Sequence, residues 1–547
     1  MTQTNTDRED TISFDITPER YRHLSVEVSG AVATIRLHVQ EDGGLRSGYA
    51  LKLNSYDLGV DIELADAVAR LRFEQPQVGA VVLTSDQEGV FSAGANIFML
   101  GASSHAFKVN FCKFTNETRL AMEEASAQSG QMYLAALNGI ASGGGYELAL
   151  ACEKIFLVDD RRSAVALPEI PFLGVLPGTG GLTRVVDKRR VRRDRADIFC
   201  TLAEGVKGQR AQRWGLVDAV YPASQFVTAV AEQAAALAGA GHPERQGILL
   251  EPLQPSISNS RIAYRYVQLT LDEAARTADL LLHGPEELPA LSPGGTLPCS
   301  WYPICAFREL DDALLRLRFN HREIGLVTVR TQGDLNKVMQ LDGQLEAARN
   351  DWFVREVRLL IGRVLRRLEL TSKSFFALID AHSCFGGLLC ELVLACDRAY
   401  MLEDEGVVVR LSSTNAGAYP ASNGLSRLQT RWLGQDERVE AQLNSPQPLS
   451  ATEAEAAGLV TVAVDALDWD DEIRVAIEER ASLSPDALTG MEANLRFAGA
   501  ETLATKIFGR LSAWQNWIFQ RPNAVGDRGA LKLYGQPESP AFHWERT

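Results

Sequence analysis

No run of 18 or more consecutive apolar residues occurs in the 547-residue sequence, and its polar start, Met1 to Asp10, has no apolar core of the signal-peptide kind. A membrane-spanning helix and export are therefore not expected, and a cytoplasmic location is. Cysteine is sparse and dispersed. The eight thiols include no Cys-x-x-Cys pair and no histidine at zinc-site spacing, which argues against disulfides and a metal site and leaves reduced core residues. An excess of positive charge is missing as well: the formal charge of −15 argues against nucleic acid as a main partner, and the basic stretch Lys188 to Arg195 reads as a solvated helix face. What is present is apolar bulk and glycine. With 46% hydrophobic residues and 44 glycines the chain can bury large cores and is expected to form two or three domains.

Two short segments carry chemistry. Phe91-Ser92-Ala93-Gly94-Ala95-Asn96 follows the strand-like run Ala80 to Thr84, and its small residues allow a backbone N–H to point into a pocket unobstructed. About fifty residues on, Gly143-Gly144-Gly145-Tyr146-Glu147-Leu148 breaks from glycine into an apolar helical pattern, so backbone donors gather at a helix N-terminus, where the dipole favours negative charge. Two such donors converging on a thioester carbonyl form an oxyanion hole, each worth about 3 to 4 kcal/mol of barrier in acyl chemistry.

The series continues with Leu167-Pro168-Glu169-Ile170, Gly174 to Arg184 (GVLPGTGGLTR) and Ala211 to Asp218 (AQRWGLVD), and over about residues 25 to 225 it resembles the crotonase (enoyl-CoA hydratase/isomerase) superfamily. The resemblance implies an α/β fold of the crotonase-like ββα spiral type. It places the two oxyanion-hole N–H groups on Ala95 and Gly144 and the two catalytic glutamates on Glu147 and Glu169. Asn96 stands where the family has an acid. Lys52 and Leu53 fall near the segment that touches coenzyme A, and Cys112, with Phe111 and Asn116, lies where family members line the acyl pocket. Lys52, Leu53, Asn96 and Cys112 are therefore the expected substrate contacts. The chemistry of two carboxylates can be stated independently: one deprotonates a water held between them, while the other, kept protonated by burial and by its neighbour's charge, delivers a proton.

The sequence also repeats. Residues 63 to 79 and 309 to 325 are identical at nine of 17 positions, Glu63/Glu309, Leu64/Leu310, Asp66/Asp312, Ala67/Ala313, Arg70/Arg316, Leu71/Leu317, Arg72/Arg318, Phe73/Phe319 and Gly79/Gly325, where chance gives about one. Gly387 to Cys396 echoes Gly143 to Cys152, and Pro420 to Arg427 echoes Pro177 to Arg184. The chemistry is not repeated. Leu388 replaces Gly144, Ser412 and Ser413 stand near the place of Glu169, nothing like Phe91 to Asn96 follows Gly325, and Glu391 without its partner reads as structural. We therefore expect a catalytic crotonase-like domain over 1–250, a degenerate copy over 251–485 after a turn-rich boundary, and a helical segment over 486–547. The aromatic and polar stretch Leu511 to Gly526 in that segment has the character of a lid, although such a stripe is more often core packing.

Within the superfamily, a dead second copy and this tail resemble the benzoyl-CoA-dihydrodiol lyase (2,3-epoxybenzoyl-CoA dihydrolase) family of aerobic benzoate degradation. That resemblance implies opening of a 2,3-oxygenated, non-aromatic benzoyl-CoA ring by two waters, giving 3,4-didehydroadipyl-CoA semialdehyde and formate. It implies an acyl-CoA substrate, no separate cofactor, no membrane or nucleic-acid partner and a homodimer. An ordinary enoyl-CoA hydratase or isomerase, and a non-catalytic acyl-CoA-binding or scaffold protein, are the competing readings.

Overall fold

The parallel strands of the first unit are apolar almost end to end, because helices cover both faces of their sheet. The computed structural model describes residues 11–444 and 447–547; the polar start, residues 1–10, lies outside the described residues. Two compact units result, 14–252 with 294–298, and 11–13 with 253–293 and 299–547. In the first unit six strands pair in the order Leu24–Ser29, Val32–Leu37, Ala80–Ser85, Met132–Leu137, Lys154–Asp159 and Ala219–Pro222. Only the first pair is antiparallel; the rest run parallel. A smaller sheet joins Val206–Lys207, Ala164–Ala166, Gly139–Ser142 and Gly89–Ser92. The segments leaving Gly89–Ser92 and Gly139–Ser142 are the two that carry the expected oxyanion hole. This two-sheet spiral with outer helices is the crotonase fold.

The repeated residues have a common job in each unit. Glu63, on helix Leu58–Phe73, accepts the backbone N–H groups of Arg22 (2.8 Å) and His23 (2.9 Å). Its counterpart Glu309, on helix Tyr302–Phe319, accepts those of Arg265 (3.2 Å), Tyr266 (2.7 Å) and Val267 (3.0 Å). Three residues further along, Asp66 accepts from the Tyr21 hydroxyl and pairs with Arg70 at 2.7 Å, while Asp312 accepts from the Tyr264 hydroxyl and pairs with Arg316 at 2.7 Å. Arg72 and Arg318 both reach a carbonyl oxygen of a later long helix of their unit, that of Ala121 on His105–Glu124 and that of Arg367 on Trp352–Leu370. The matched identities therefore pin the incoming strand and the following helix to the first helix. Buried backbone donors require such partners.

In the second unit eight strands form one sheet: Ser256–Ile257, Arg261–Ala263, Val267–Asp272, Thr277–His283, Leu326–Gln332, Ser374–Ile379, Arg398–Glu403 and Val462–Asp465. Among the described residues it has no counterpart of the smaller sheet beyond the isolated bridges Gly386 to Arg410 and Val409 to Leu449. The helical segment 486–547 groups with this unit. There Arg546 pairs with the buried Glu492 at 2.6 Å and donates to the Gly325 carbonyl, and Arg480 reaches the same glutamate at 3.2 Å. Trp514 and Trp517 meet edge to face at 5.4 Å, and Gly490 leaves room for Trp514 and Ile518. Phe508 and Phe519 remain exposed. No helix of the described residues is long and apolar enough to cross a membrane.

Glu309→Ala leaves three backbone donors without partners and Glu63→Ala leaves two, at about 1 to 3 kcal/mol each when the N–H stays buried. Urea unfolding should therefore show Glu309→Ala as the more damaging change, with a loss of about 3 kcal/mol or more.

Candidate active site

Gly94 brings the two halves of the hole together. At φ +85° it occupies a conformation that favours glycine, and a Cβ there would lie 2.5 Å from the Gly144 nitrogen. The strand Gly94–Ala95 thus runs directly beneath the N-terminus of helix Gly144–Leu150. Gly94–Ala95 pairs in parallel with Ser55–Tyr56, and the Asn96 N–H donates to the Tyr56 carbonyl at 2.8 Å. Strand alternation then turns the Ala95 N–H away from that neighbour. Gly143, at φ +54°, starts the helix, and the first-turn N–H of Gly144 has no carbonyl four residues back within the helix to receive it. Tyr146, buried among core residues, anchors the helix by donating to the Leu216 carbonyl at 2.7 Å.

The two glutamates meet at this hole in different surroundings. Glu147 is buried and accepts three hydrogen bonds, from the Thr179 N–H (3.0 Å), the Gly181 N–H (2.7 Å) and the Thr179 hydroxyl. Glu169 opens helix Glu169–Leu173 and lies against Gly143, whose missing Cβ would stand 2.8 Å from Glu169 Oε1. Its Oε2 is buried without a hydrogen-bond partner. Burial first, and the Glu147 charge second, push the Glu169 carboxyl up to about 7. One carboxylate is held by donors and its neighbour carries a tightly bound proton, which is the division of labour that acid–base chemistry on a water requires.

The loop that serves Glu147 is itself tied down. Arg184 makes two 2.9 Å hydrogen bonds to Glu123 and donates to the Thr179 carbonyl, while Asn116 donates to the Gly178 carbonyl at 3.2 Å. Cys112 faces this loop, its Sγ 3.9 Å from where a Gly178 Cβ would be, and burial pushes its thiol up to about 11, so it stays neutral. Within the basic stretch, Lys188 pairs with Glu123 (3.0 Å) and Arg189 with Asp218 (2.9 Å).

Leu53 has φ 58° and Asn54 φ 49°, left-handed values rare outside glycine. Buried Asn54 holds this turn through Val39 N–H, Ser85 Oγ and the Phe91 carbonyl. Leu53 is half exposed and, with His38, Glu41 and Gln87, lines a cavity of about 250 Å³; Lys52 is exposed beside it. Asn96 is placed differently from its expected substrate contact. Only 4% exposed, it caps helix Ile97–Ala102 through Met99 N–H (2.9 Å) and donates to the Ala50 carbonyl and Ser55 Oγ. A buried amide needs such partners, and here they lie within the fold.

Sequence reasoning missed Tyr56, Thr179, Asp61 and Arg119. Arg119, fully buried, pairs with Asp61 at 3.0 Å and lies 5.3 Å over the Tyr56 ring. Thr179 stood in the quoted glycine-rich run, but its contact with a glutamate 32 residues away is tertiary. In the second unit the equivalent arrangement is closed by charge. Arg427 pairs with Glu391 at 2.8 Å and with Glu369 at 2.7 Å, and Asn415 donates to Glu391 at 2.7 Å. Gly387 repeats the positive φ of Gly143, at +46°, but buried Leu388 follows it. Among the described residues no group of three or more His, Cys, Asp or Glu side chains is placed to hold a metal ion.

A two-sheet spiral in which a glycine strand meets a glycine-opened helix beside two glutamates is the arrangement of a crotonase, and residues 50–279 match the family model for enoyl-CoA hydratase/isomerase. The chain is 52% identical over 98% of its length, and 98% of the relative's, to benzoyl-CoA-dihydrodiol lyase of Aromatoleum evansii, and it belongs to that family. It is also 33% identical, over 32% of its length and 24% of the relative's, to the fatty acid oxidation complex subunit alpha of Shewanella loihica. A crystal structure of an enoyl-CoA hydratase from Geobacillus kaustophilus is 35% identical with a TM-score of 0.35, covering 40% of this chain and 75% of that one.

A carboxyl whose folded-state pKa is raised contributes stability below its unfolded value, near 4.5, and loses that contribution as pH rises through about 7. Glu169→Gln should accordingly be more stable than the parent protein at pH 8, on the order of 2 kcal/mol, and the gap should close towards pH 4.5. Thermal unfolding of both proteins across that range checks the sign.

Proposed function

We infer that this chain is a carbon–carbon lyase that opens the ring of 2,3-epoxybenzoyl-CoA, or its 2,3-dihydrodiol, with two waters to give 3,4-didehydroadipyl-CoA semialdehyde and formate. The observation that carries the reading is the pairing of Glu147, held by three donors, with Glu169, whose carboxyl is pushed up to about 7 beside it. The near full-length similarity to a benzoyl-CoA-dihydrodiol lyase supports the choice of acyl group. The Ala95 and Gly144 N–H groups hold the thioester oxygen. Glu147 takes a proton from the attacking water, and Glu169 returns one to carbon or to the leaving oxygen. Loss of the formyl carbon as formate leaves a carbanion next to the thioester, which the same hole stabilises as the enolate until it is protonated. Cys112 lines the acyl pocket as a neutral thiol, Leu53 and Lys52 meet coenzyme A beside the cavity near Gln87, and the reading asks for no further cofactor or metal. A cytoplasmic homodimer is the form in which we propose it acts.

Purified protein mixed with enzymatically generated 2,3-epoxybenzoyl-CoA should release formate, followed with the thioester product by mass spectrometry. Glu147→Gln and Glu169→Gln should each cut that release by about 10²- to 10⁴-fold. Hydration of crotonyl-CoA with no formate from the parent protein would instead establish an ordinary hydratase. Lys52→Ala should raise KM about fivefold at unchanged kcat, the loss of about 1 kcal/mol of uniform binding.

A further inference from the structure

One buried polar group beside the site is used by no step above. Tyr56 is 4% exposed, yet its hydroxyl is buried without a hydrogen bond of normal geometry. Burying a hydroxyl unpaired costs on the order of 1 to 3 kcal/mol, a cost that folding alone gives no reason to keep. Its position is fixed from two sides. Its backbone pairs with Ala95, one donor of the hole, and its hydroxyl packs over the bare Cα of Gly144, the other, where any Cβ would collide with it. Thr179 lies within reach of the hydroxyl, and the charge of Glu147 acts on it.

Hydrogen-bond accounting then gives the direction. The Thr179 hydroxyl proton is already committed to Glu147, so Thr179 Oγ1 can only accept from a further partner. Burial holds the Tyr56 hydroxyl far above its ordinary value, so it stays protonated and donates. Arg119 over the ring face, itself paired with Asp61, draws electron density from the phenol and strengthens that donor.

We propose that Tyr56 is a positioning residue for the reaction: its hydroxyl donates to Thr179 Oγ1 and, through it, holds Glu147 as the ionised carboxylate of the pair, leaving Glu169 as the acid. The inference rests on the two-glutamate reading. The charged and titratable groups facing this relay are Arg119, Asp61, Cys112, Glu169 and Arg184, whose guanidinium is taken up by Glu123 and the Thr179 carbonyl, and none of them replaces a hydroxyl donor at Thr179 Oγ1.

The test is Tyr56→Phe, which keeps the ring, compared with Thr179→Val and the double variant. With the phenol hydroxyl gone, the donors that offset the Glu147 charge are weakened, and that charge holds the Glu169 proton more firmly, so the alkaline limb of the kcat profile moves to higher pH. The maximum of kcat should fall about 10-fold, with KM within twofold of the parent. The double variant should lose no more than Thr179→Val alone. An alkaline limb that stays in place or moves to lower pH, or losses that multiply, overturn the proposal. If the parent releases no formate, the ring-opening reading fails, and the same profiles are read on crotonyl-CoA. A readout without substrate accompanies them. In protein labelled with ¹³C at the glutamate carboxyl carbons, assigned with Glu169→Gln, the Glu169 midpoint near 7 should rise in Tyr56→Phe by about half a pH unit or more; a midpoint that stays or falls refutes the relay even if neither thioester turns over.

Discussion

Everything in the first unit depends on one close approach: a glycine strand passing beneath the first turn of a helix. Backbone N–H groups in a folded protein almost always have partners, so a pair of them free to hold a thioester oxygen can exist only where the chain is prevented from satisfying them itself. A helix N-terminus leaves its first donors without intrahelical partners. The alternation of a strand leaves the Ala95 N–H pointing away from Ser55–Tyr56. Gly94 is the residue that allows the two to share a site, because any side chain there would strike the Gly144 nitrogen. The smaller sheet exists to deliver these segments, since both leave its strands at neighbouring positions, and the larger sheet with its helices supplies a rigid base.

Around that approach the site sorts charge by environment. Glu147 receives donors from a loop that Arg184 and Asn116 hold in place, so its carboxylate is solvated by protein N–H and O–H groups. Glu169 receives none on its buried oxygen and feels its neighbour's charge, so it keeps its proton into the neutral range. Two residues of one type thereby acquire different environments from the number of N–H and O–H groups that face them, which is a property of the loop 177–181 rather than of the glutamates.

Much of this was legible in the sequence, and the parts that were not share a cause. The approach of Gly94 to Gly144 was readable because small residues after a strand and glycines opening a helix are local signals with a local meaning. The repeat was readable because Glu63, Asp66, Arg70 and Arg72 and their counterparts make their contacts from one helix, so helical spacing preserves them. Tyr56 and Thr179 were not readable as site residues, since neither has a signature until the fold brings them to Gly144 and Glu147. Asn96 was assigned by analogy with a charged residue, yet a signal for its cap was there: an asparagine directly before the apolar run Ile97-Phe98-Met99.

The second unit shows what the first must avoid. The arginine at the end of the repeated proline-to-arginine segment is kept in both copies, as Arg184 and Arg427. In the first unit it is satisfied by Glu123 and by the loop carbonyl, and Glu147 is left to neutral donors. In the second it spans Glu369 and Glu391, and Asn415 completes the coordination. A carboxylate paired with a fully buried guanidinium cannot take up a proton without giving up part of that cation's compensation, which is costly in a dry interior. Asp342 lies against Gly387 much as Glu169 lies against Gly143, and burial raises its carboxyl too, yet Thr414 donates to it and buried Leu388 stands beside it in the place of Gly144. The two units therefore differ less in whether two acids are kept than in whether a nearby arginine is turned away from one of them and a glycine or a leucine stands beside the other.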